Sequence, residues 1–233
     1  MVTDVWDDVW DNKKVNSDYS LNYLNFIEKL DANLSAGKKI IEVGCGTGQT
    51  LEIFSRRHST TGLDISKNAL KIAKSKCDNP VNGDMFNMPF PDETFDLVYN
   101  SGVIEHFREP GNIRAIKEMA RITRKGGNLM IIVPNSHCLW YRIWKYLSIK
   151  TNRFEFGYEE DYSLSRLKNA INRASPDLEI IDSFGIQALL PLATNNKEIL
   201  SENIRKKICK VENYFPYKQH YAYGVGVIAK KSV

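Results

Sequence analysis

Apolar positions along the chain change their spacing several times, and each change marks an element. The opening DVWDDVWD sets Val5 and Val9, and Trp6 and Trp10, four apart between aspartates, which predicts a short helix with an aromatic face. From about residue 17, Tyr23, Leu24, Ile27, Leu30 and Leu34 share one helical face, and Gly37 stops the helix. Residues 38–43 (KKIIEV) are a continuous apolar run, as in a buried strand. Helical spacing returns over 49–57 through Leu51, Ile53 and Phe54. A strand over 60–65 passes through Asp64, and Ser66 is placed to cap a helix over 69–75. A weak strand near Val81 ends at Gly83-Asp84, and 94–99 is a clear strand. Residues 112–124 predict a helix closed by Lys125-Gly126-Gly127, and 128–133 a strand stopped by Pro134. Segments 137–150 and 152–162 are rich in aromatics and bases. Ser163 caps a helix to Ala174, and 178–184 is a strand. Residues 186–216 read as a mixed, partly helical insertion, and 221–230 (YAYGVGVIAK) as a final strand, hairpin-like with the one before it.

Strands separated by helix-length segments predict right-handed crossovers and a mostly parallel α/β sheet with helices on both faces. Ligands of such sheets bind beyond the carboxyl ends of the strands. The loops after Val43, Asp64, Gly83 and Tyr99 should therefore converge on one site. At 233 residues the chain suits a single domain. Residues 1–36 are expected to form a helical lid, 37–134 the cofactor core, and 135–233 lid insertions and the last strands. A formal charge of +4 permits an acidic ligand but does not argue for nucleic acid. No run of about 18 apolar residues is present, so no membrane span is expected. The acidic first residues lack the basic start of a signal peptide. Cys45, Cys77, Cys138 and Cys209 are scattered without a CxxC pair, which suits a reducing cytoplasm better than disulfides or zinc.

The stretch 42–50, EVGCGTGQT, carries the candidate chemistry. A phosphate-binding P-loop needs GxxxxGK[ST], and no lysine stands in this loop. The dinucleotide fingerprint GxGxxG is met by Gly44 and Gly46, but its third glycine falls on Gln49. What remains is GxGxG behind an acidic Glu42, then Asp64 at the end of the next strand, then Gly83-Asp84. Glycines let backbone pass close to a ligand. A carboxylate at position 64 can accept both hydroxyls of a ribose, and Asp84 can accept from an exocyclic amine. Ile65 and Met85 can sandwich an apolar ring. Plainer readings exist for each: Glu42 orders the loop through backbone hydrogen bonds, Asp64 caps the next helix, and Asp84 is a turn residue.

In order along the chain, EVGCGTG (42–48), GLDIS (62–66), Gly83-Asp84, FDLVYNSGVIEHF (95–107) and RKGGNLMIIVPN (124–135) resemble the class I S-adenosylmethionine-dependent methyltransferases. The similarity is to the large small-molecule group with a type 11 methyltransferase domain. It implies a Rossmann-like, doubly wound, seven-stranded sheet with the last strand antiparallel, under a small lid. It implies S-adenosyl-L-methionine as cofactor and S-adenosyl-L-homocysteine as product. By the same resemblance the loop Gly44-Cys45-Gly46-Thr47-Gly48-Gln49, behind Glu42, underlies the methionine part. Asp64 takes the ribose, Ile65 and Met85 the adenine faces, and Asp84 the adenine amine. The backbone of Asn100 and Ser101 faces the methionine amino group, and Tyr19 is a candidate for the cofactor carboxylate.

His106 is the candidate general base, since its ordinary pKa lies near neutrality. Packing on the cofactor or capping a helix is its competing role, and Glu105 beside it either orients it or faces the cofactor. Relatives that hold a metal carry a glutamate three places before the Glu-His pair. Here that place is Gly102, so no metal site is expected. His58, His137 and His220 read as surface or structural. The acceptor pocket is expected from Trp6, Trp10 and Tyr19, from 139–162 and from 186–216. The bland reading of 139–162 is a lid helix packed on the sheet. The sharper one is contact with an aromatic, lipid-like or sugar-linked acceptor, a membrane surface or RNA. Arg205-Lys206-Lys207 reads as a solvated helix face. The leading function is methyl transfer to a small molecule at oxygen, nitrogen or carbon, by a monomer or homodimer. An RNA- or tRNA-modifying methyltransferase is disfavoured by the mild charge and by NSGV (100–103) where base methylation would want NPPY. A non-catalytic binder of the same cofactor is the third reading.

Overall fold

In the computed structural model, Trp6 and residues 21–154, 157–189, 201–212 and 214–233 are described. Tyr19, Trp10, most of the expected first helix, Phe156 and part of the 186–216 insertion lie outside them. The described elements, in chain order, begin with α1 (Leu21–Asn33), β1 (Lys39–Val43), α2 (Leu51–Phe54), β2 (Ser59–Asp64) and α3 (Lys67–Ala73). β3 (Asn79–Asn82), β4 (Phe95–Ser101), a 3₁₀ turn (Ile104–His106), α4 (Gly111–Ile122) and β5 (Thr123–Pro134) follow. Then come α5 (Leu139–Lys150), α6 (Leu164–Ala174), β6 (Leu178–Ile186), α7 (Glu202–Glu212), a second 3₁₀ turn (Lys218–His220) and β7 (Gly224–Lys231).

The seven strands form one sheet in the order β3-β2-β1-β4-β5-β7-β6. The first five run parallel. β7 inserts antiparallel between β5 and β6, so β6 again points the same way as β5. This is the doubly wound, Rossmann-like sheet expected. Period-two alternation sorts the side chains to two cores. Ile41, Val43, Val98, Ile131 and Val133 pack with Ile116 and Met119 of α4 and Leu167 and Ile171 of α6. Ile40, Leu97, Tyr99, Met130 and Ile132 pack on the other face with Ile27, Leu51, Phe54 and Leu70. Burial on both faces explains why these strands read as near-continuous apolar runs.

Several boundaries differ from the sequence pattern for local reasons. Ser66 does cap α3, accepting from Ala69 N at 3.2 Å, so that helix starts at Lys67 rather than 69. The helix expected over 49–57 keeps only Leu51–Phe54 as α-helix. The Lys125-Gly126-Gly127 segment does not close α4. Thr123, already extended, ends it, and its Oγ1 donates to Met119 O at 2.8 Å. The glycines lie inside β5, opposite the register shift between Phe95 and Leu97, where Gly126 has φ +69°. β6 and β7 pair antiparallel, but α7 lies between them in the chain, so they form no tight hairpin. Arg205 is buried, which corrects the solvated reading of that position, while Lys206 and Lys207 are exposed. His58 is a core residue. Its Nδ1 accepts from Lys38 N at 3.2 Å and its Nε2 lies 2.9 Å from Asp31 Oδ1. The four cysteines are buried and unpaired.

Candidate active site

The parallel register brings the ends of β1, β2, β3 and β4 to one edge, and a hydrogen-bond lattice ties their loops together. Gly46 N donates to Asp64 Oδ2 and Ser66 N to Asp64 Oδ1, each at 2.8 Å. One buried carboxylate thus joins the glycine loop to the start of α3. Both the ligand-facing and the capping readings of Asp64 start from this position at the end of β2. Asn82 Nδ2 donates to the carbonyls of Asp64 and Ile65 at 3.0 and 2.9 Å, and Gly83 N to Asp64 O at 3.1 Å. Asn100 Nδ2 donates to Val43 O at 2.5 Å, and Ile104 N to Asn100 Oδ1 at 3.4 Å. The Asn100 side chain is therefore spent on the scaffold, which leaves its backbone, with that of Ser101, at the edge.

Gly44 and Gly48 both hold positive φ, 75° and 71°. A Cβ on Gly44 would lie 2.5 Å from Val103 Cγ2, and one on Gly48 3.2 Å from Ala73 Cβ. Gly48 therefore lets the loop settle against α3, and Gly44 lets it pass under the loop after β4. Cys45 is buried with its sulfur against Gly62, and burial pushes its thiol up. Only its backbone can serve a ligand. Thr47 is buried and Gln49 half-buried in the same loop. Ile65 is half-buried, Met85 is buried, and Asp84 is exposed, with Oδ1 accepting from Phe86 N at 2.9 Å.

Glu42 is fully buried at the foot of the loop. Its Oε2 accepts from Thr50 Oγ1 at 2.5 Å and from Tyr99 OH at 3.0 Å, so it bonds side chains rather than backbone. Tyr99 stands opposite Glu42 because the two are register partners in β1 and β4. Oε1 has no hydrogen-bond partner, and burial pushes the carboxyl up to about 8. A buried acid oxygen without a donor fits a cofactor that brings an ammonium group, as S-adenosylmethionine does. Glu42, the glycine loop, Asp64, Ile65, Asp84, Met85 and the backbone of Asn100 and Ser101 thus stand along one sheet edge. Sequence reasoning missed Thr50, Asn82 and Tyr99. An asparagine directly before Gly83-Asp84 was a readable signal. The other two depend on contacts set by the fold.

His106 ends the 3₁₀ turn after β4. Its Nδ1 lies 2.8 Å from Tyr158 O, a contact that calls for a proton on Nδ1 because a carbonyl oxygen only accepts. Trp6 packs edge-on against the imidazole, with centroids 4.9 Å apart. Glu105 is buried rather than turned toward solvent. Burial pushes it up to about 8, and its Oε2 has no partner. In the lid, Tyr141 OH donates to Glu159 Oε1 at 2.6 Å and Lys145 Nζ donates to the same oxygen at 2.8 Å. Trp140 stacks on Tyr223, and Trp144 on Tyr141. A separate cavity of about 290 Å³ lies between α1 and the carboxyl end of β6, lined by Phe26, Phe184, Gln187, Glu212 and Lys218 among others. Among the described residues no cluster of three metal-ligating side chains occurs, and no helix is long and apolar enough to cross a membrane.

Comparison with known proteins gives the edge its context. The family model for the methyltransferase domain matches residues 41–131. The chain is 33% identical over 158 residues to phosphatidylethanolamine N-methyltransferase of Cereibacter sphaeroides, covering 63% of this chain and 72% of that protein. It is 44% identical over 98 residues to "Probable tRNA methyltransferase 9B" of Homo sapiens, covering 42% of this chain and 21% of that protein. The chain thus spans only about a fifth of that relative's length. Among solved structures it superposes on a chain of the complex between the Haloferax volcanii Trm112 methyltransferase activator and its methyltransferase. There the TM-score is 0.71 at 16% identity, over 100% of this chain and 98% of that one. A SAM-dependent methyltransferase from Thermotoga maritima matches with TM-score 0.67 at 22% identity, over 90% of this chain and 89% of that one.

Proposed function

The chain belongs to the S-adenosylmethionine-dependent methyltransferases, and on that premise we propose that it methylates a small-molecule acceptor at oxygen, nitrogen or carbon. When bound, S-adenosylmethionine supplies an activated methyl group on a sulfonium sulfur. The chain's own task is to bind that group, align the acceptor and exclude water. In this reading Asp64 holds the ribose hydroxyls, Ile65 and Met85 the adenine faces, and Asp84 the exocyclic amine. Glu42 and the backbone of residues 44–49, Asn100 and Ser101 hold the methionine end, with Tyr19 as a further contact. Residues 37–134 act as the cofactor core and 1–36 and 135–233 as lid. The unpaired thiols favour a cytoplasmic setting.

The observation that carries the acceptor reading is the fixed imidazole. Tyr158 O lies 2.8 Å from His106 Nδ1 and fixes the ring's orientation, and in this reading the imidazole takes the acceptor's proton as the new bond forms. The ring is half-buried against an aromatic side chain, an enclosure that suits a small acceptor better than a duplex surface. Relatives named for lipid acceptors support this reading. A tRNA acceptor is the second reading, favoured by the 44% identity to the tRNA methyltransferase 9B proteins. Labelled cofactor, incubated separately with a lysate's metabolite, lipid and tRNA fractions, tests both. Label in metabolites or lipids is the expected result, and label confined to tRNA overturns the small-molecule reading.

A further inference from the structure

Helix α5 presents an outward face that no described part of the chain covers. It buries only Tyr141 and Ser148. Leu139, Ile143, Trp144, Tyr146, Leu147 and Ile149 are each 47–71% exposed, six of the large apolar side chains in contact with solvent, all within twelve residues. At 100° per residue, Leu139, Ile143, Tyr146, Leu147 and Ile149 share one continuous outer surface. An isolated exposed leucine needs no explanation, but a contiguous band does.

The charges that the helix itself carries are of one sign. The helix carries Arg142, Lys145 and Lys150 and no carboxylate. Lys145 turns inward to Glu159 and Asp161, and Arg142 reaches Asp161 at 3.2 Å. The Glu159 side chain is buried, and the half-exposed Asp161 is neutralised by Arg142 and Lys145. Lys150 lies over the Tyr146 ring at 4.7 Å, and Arg153 follows in the exposed loop; neither has an ion-pair partner among the described residues. An apolar surface with half-exposed Trp144 and Tyr146, rimmed by Lys150 and Arg153, matches a helix lying in the headgroup layer of an anionic bilayer. Aliphatic side chains dominate its crest. They insert among acyl chains but neither stack on bases nor hydrogen-bond them, so the surface fits lipid better than RNA. Because α5 starts five residues after β5, it also borders the sheet edge that holds the candidate site.

We propose that the outer face of α5 docks this protein on anionic lipid bilayers, with Leu139, Ile143, Leu147 and Ile149 inserted and Lys150 and Arg153 on the headgroups. This surface goes beyond the acceptor reading and does not depend on which atom receives the methyl group.

The test is flotation of the full chain with vesicles of phosphatidylcholine alone or with added phosphatidylglycerol. Binding should be strong with phosphatidylglycerol and weak without it. I143S/L147S should lower the partition coefficient on the order of tenfold or more, and K150E/R153E should remove the dependence on phosphatidylglycerol. Melting temperature and cofactor affinity, read on the same samples, should stay unchanged in both variants, since none of these residues touches the cofactor loops. Absence of flotation, or equal flotation of wild type and I143S/L147S, overturns the proposal. So does a concentration-dependent dimer that I143S/L147S dissociates, or salt-sensitive retention of RNA in place of vesicles.

Discussion

The two ends of the same sheet edge are held together in different ways. Around the cofactor loops almost every buried polar atom answers to another. Asp64 takes two backbone N–H groups, Asn82 gives to two carbonyls, and Glu42 takes two hydroxyls. These contacts are short and mostly buried. At the other end, α5 is held by the Lys145, Glu159 and Asp161 ion pairs and by the Trp140 and Tyr141 rings packed on Tyr223, while most of its apolar surface faces out. The Lys145–Glu159 pair is nearly buried, whereas the Asp161 end is half-exposed, where an ion pair contributes on the order of 1 kcal/mol or less. The first region should therefore be rigid before its ligand arrives, and the second should be open to change without loss of cofactor binding.

His106 joins the two regions, since its turn follows β4 while its Nδ1 is held by Tyr158 of the lid. His106→Ala should give the largest effect. Loss of a general base lowers turnover about 10²–10⁴-fold, while the cofactor dissociation constant stays within about twofold, inside the usual scatter of additive sites. Steady-state rates across neutral pH, beside calorimetric cofactor titration, separate the two readouts. An unaltered rate would assign His106 to packing and leave the lid with no part in the chemistry.

Asp64→Ala should come next. Hydrogen bonds to a charged group contribute about 1.5–3 kcal/mol each, so loss of the ribose contacts should weaken cofactor binding about a hundredfold. Gly46 and Ser66 N–H also lose their acceptor, so the melting temperature should fall as well. The same substitution made on the lid side, at Asp161, should leave cofactor affinity untouched. If both variants bind alike, the contrast between a prebuilt and an exchangeable region fails.

The same contrast decides what the sequence could disclose. The places of Glu42, Asp64 and Gly83-Asp84 along one sheet edge were legible because each stands at a strand end or in its loop, where spacing alone locates it. Ser66 and Ser163 were legible as caps for the same reason, each bonding three residues ahead. Thr50 and Tyr99 were not. Their links to Glu42 span 8 and 57 residues: the first needs the glycine loop to fold back under β1, the second the register in which β1 and β4 pair. The lid was the least legible part. The sequence run of Trp140, Tyr141 and Trp144 suggested a helix packed on the sheet, but periodicity cannot say which side meets the protein. The structure turns Tyr141 inward and Leu139, Ile143 and Leu147 outward. Gly126-Gly127 misled because the same pair that closes many helices here bends the start of a strand.

The smallest effect should be a pH slope. In the unfolded chain Glu42 has the ordinary carboxyl value of 4.5, and burial raises it to about 8 in the fold. Between those values the folded state binds more protons than the unfolded one, so stability is fully present below about 4.5 and is lost as pH rises toward 8. One such group gives a slope of at most about 1.4 kcal/mol per pH unit. Glu42→Gln removes the group's share, so the variant's melting temperature should gain on wild type steadily from about pH 5 to about pH 8. Glu105, raised to about 8 by the same burial, adds its own slope, which Glu105→Gln should remove separately. The two carboxyls then part company when cofactor is added. A ligand ammonium beside Glu42 stabilises its ionised form, so saturating S-adenosylhomocysteine should flatten the part of the pH dependence that Glu42→Gln removes. It should leave the Glu105 part in place, because the charged groups that act on that carboxyl are Glu159 and Lys145 rather than the glycine loop. Thermal melts at four or five pH values, with and without ligand, read this directly. A ligand that flattens both parts equally would make the two regions a single unit.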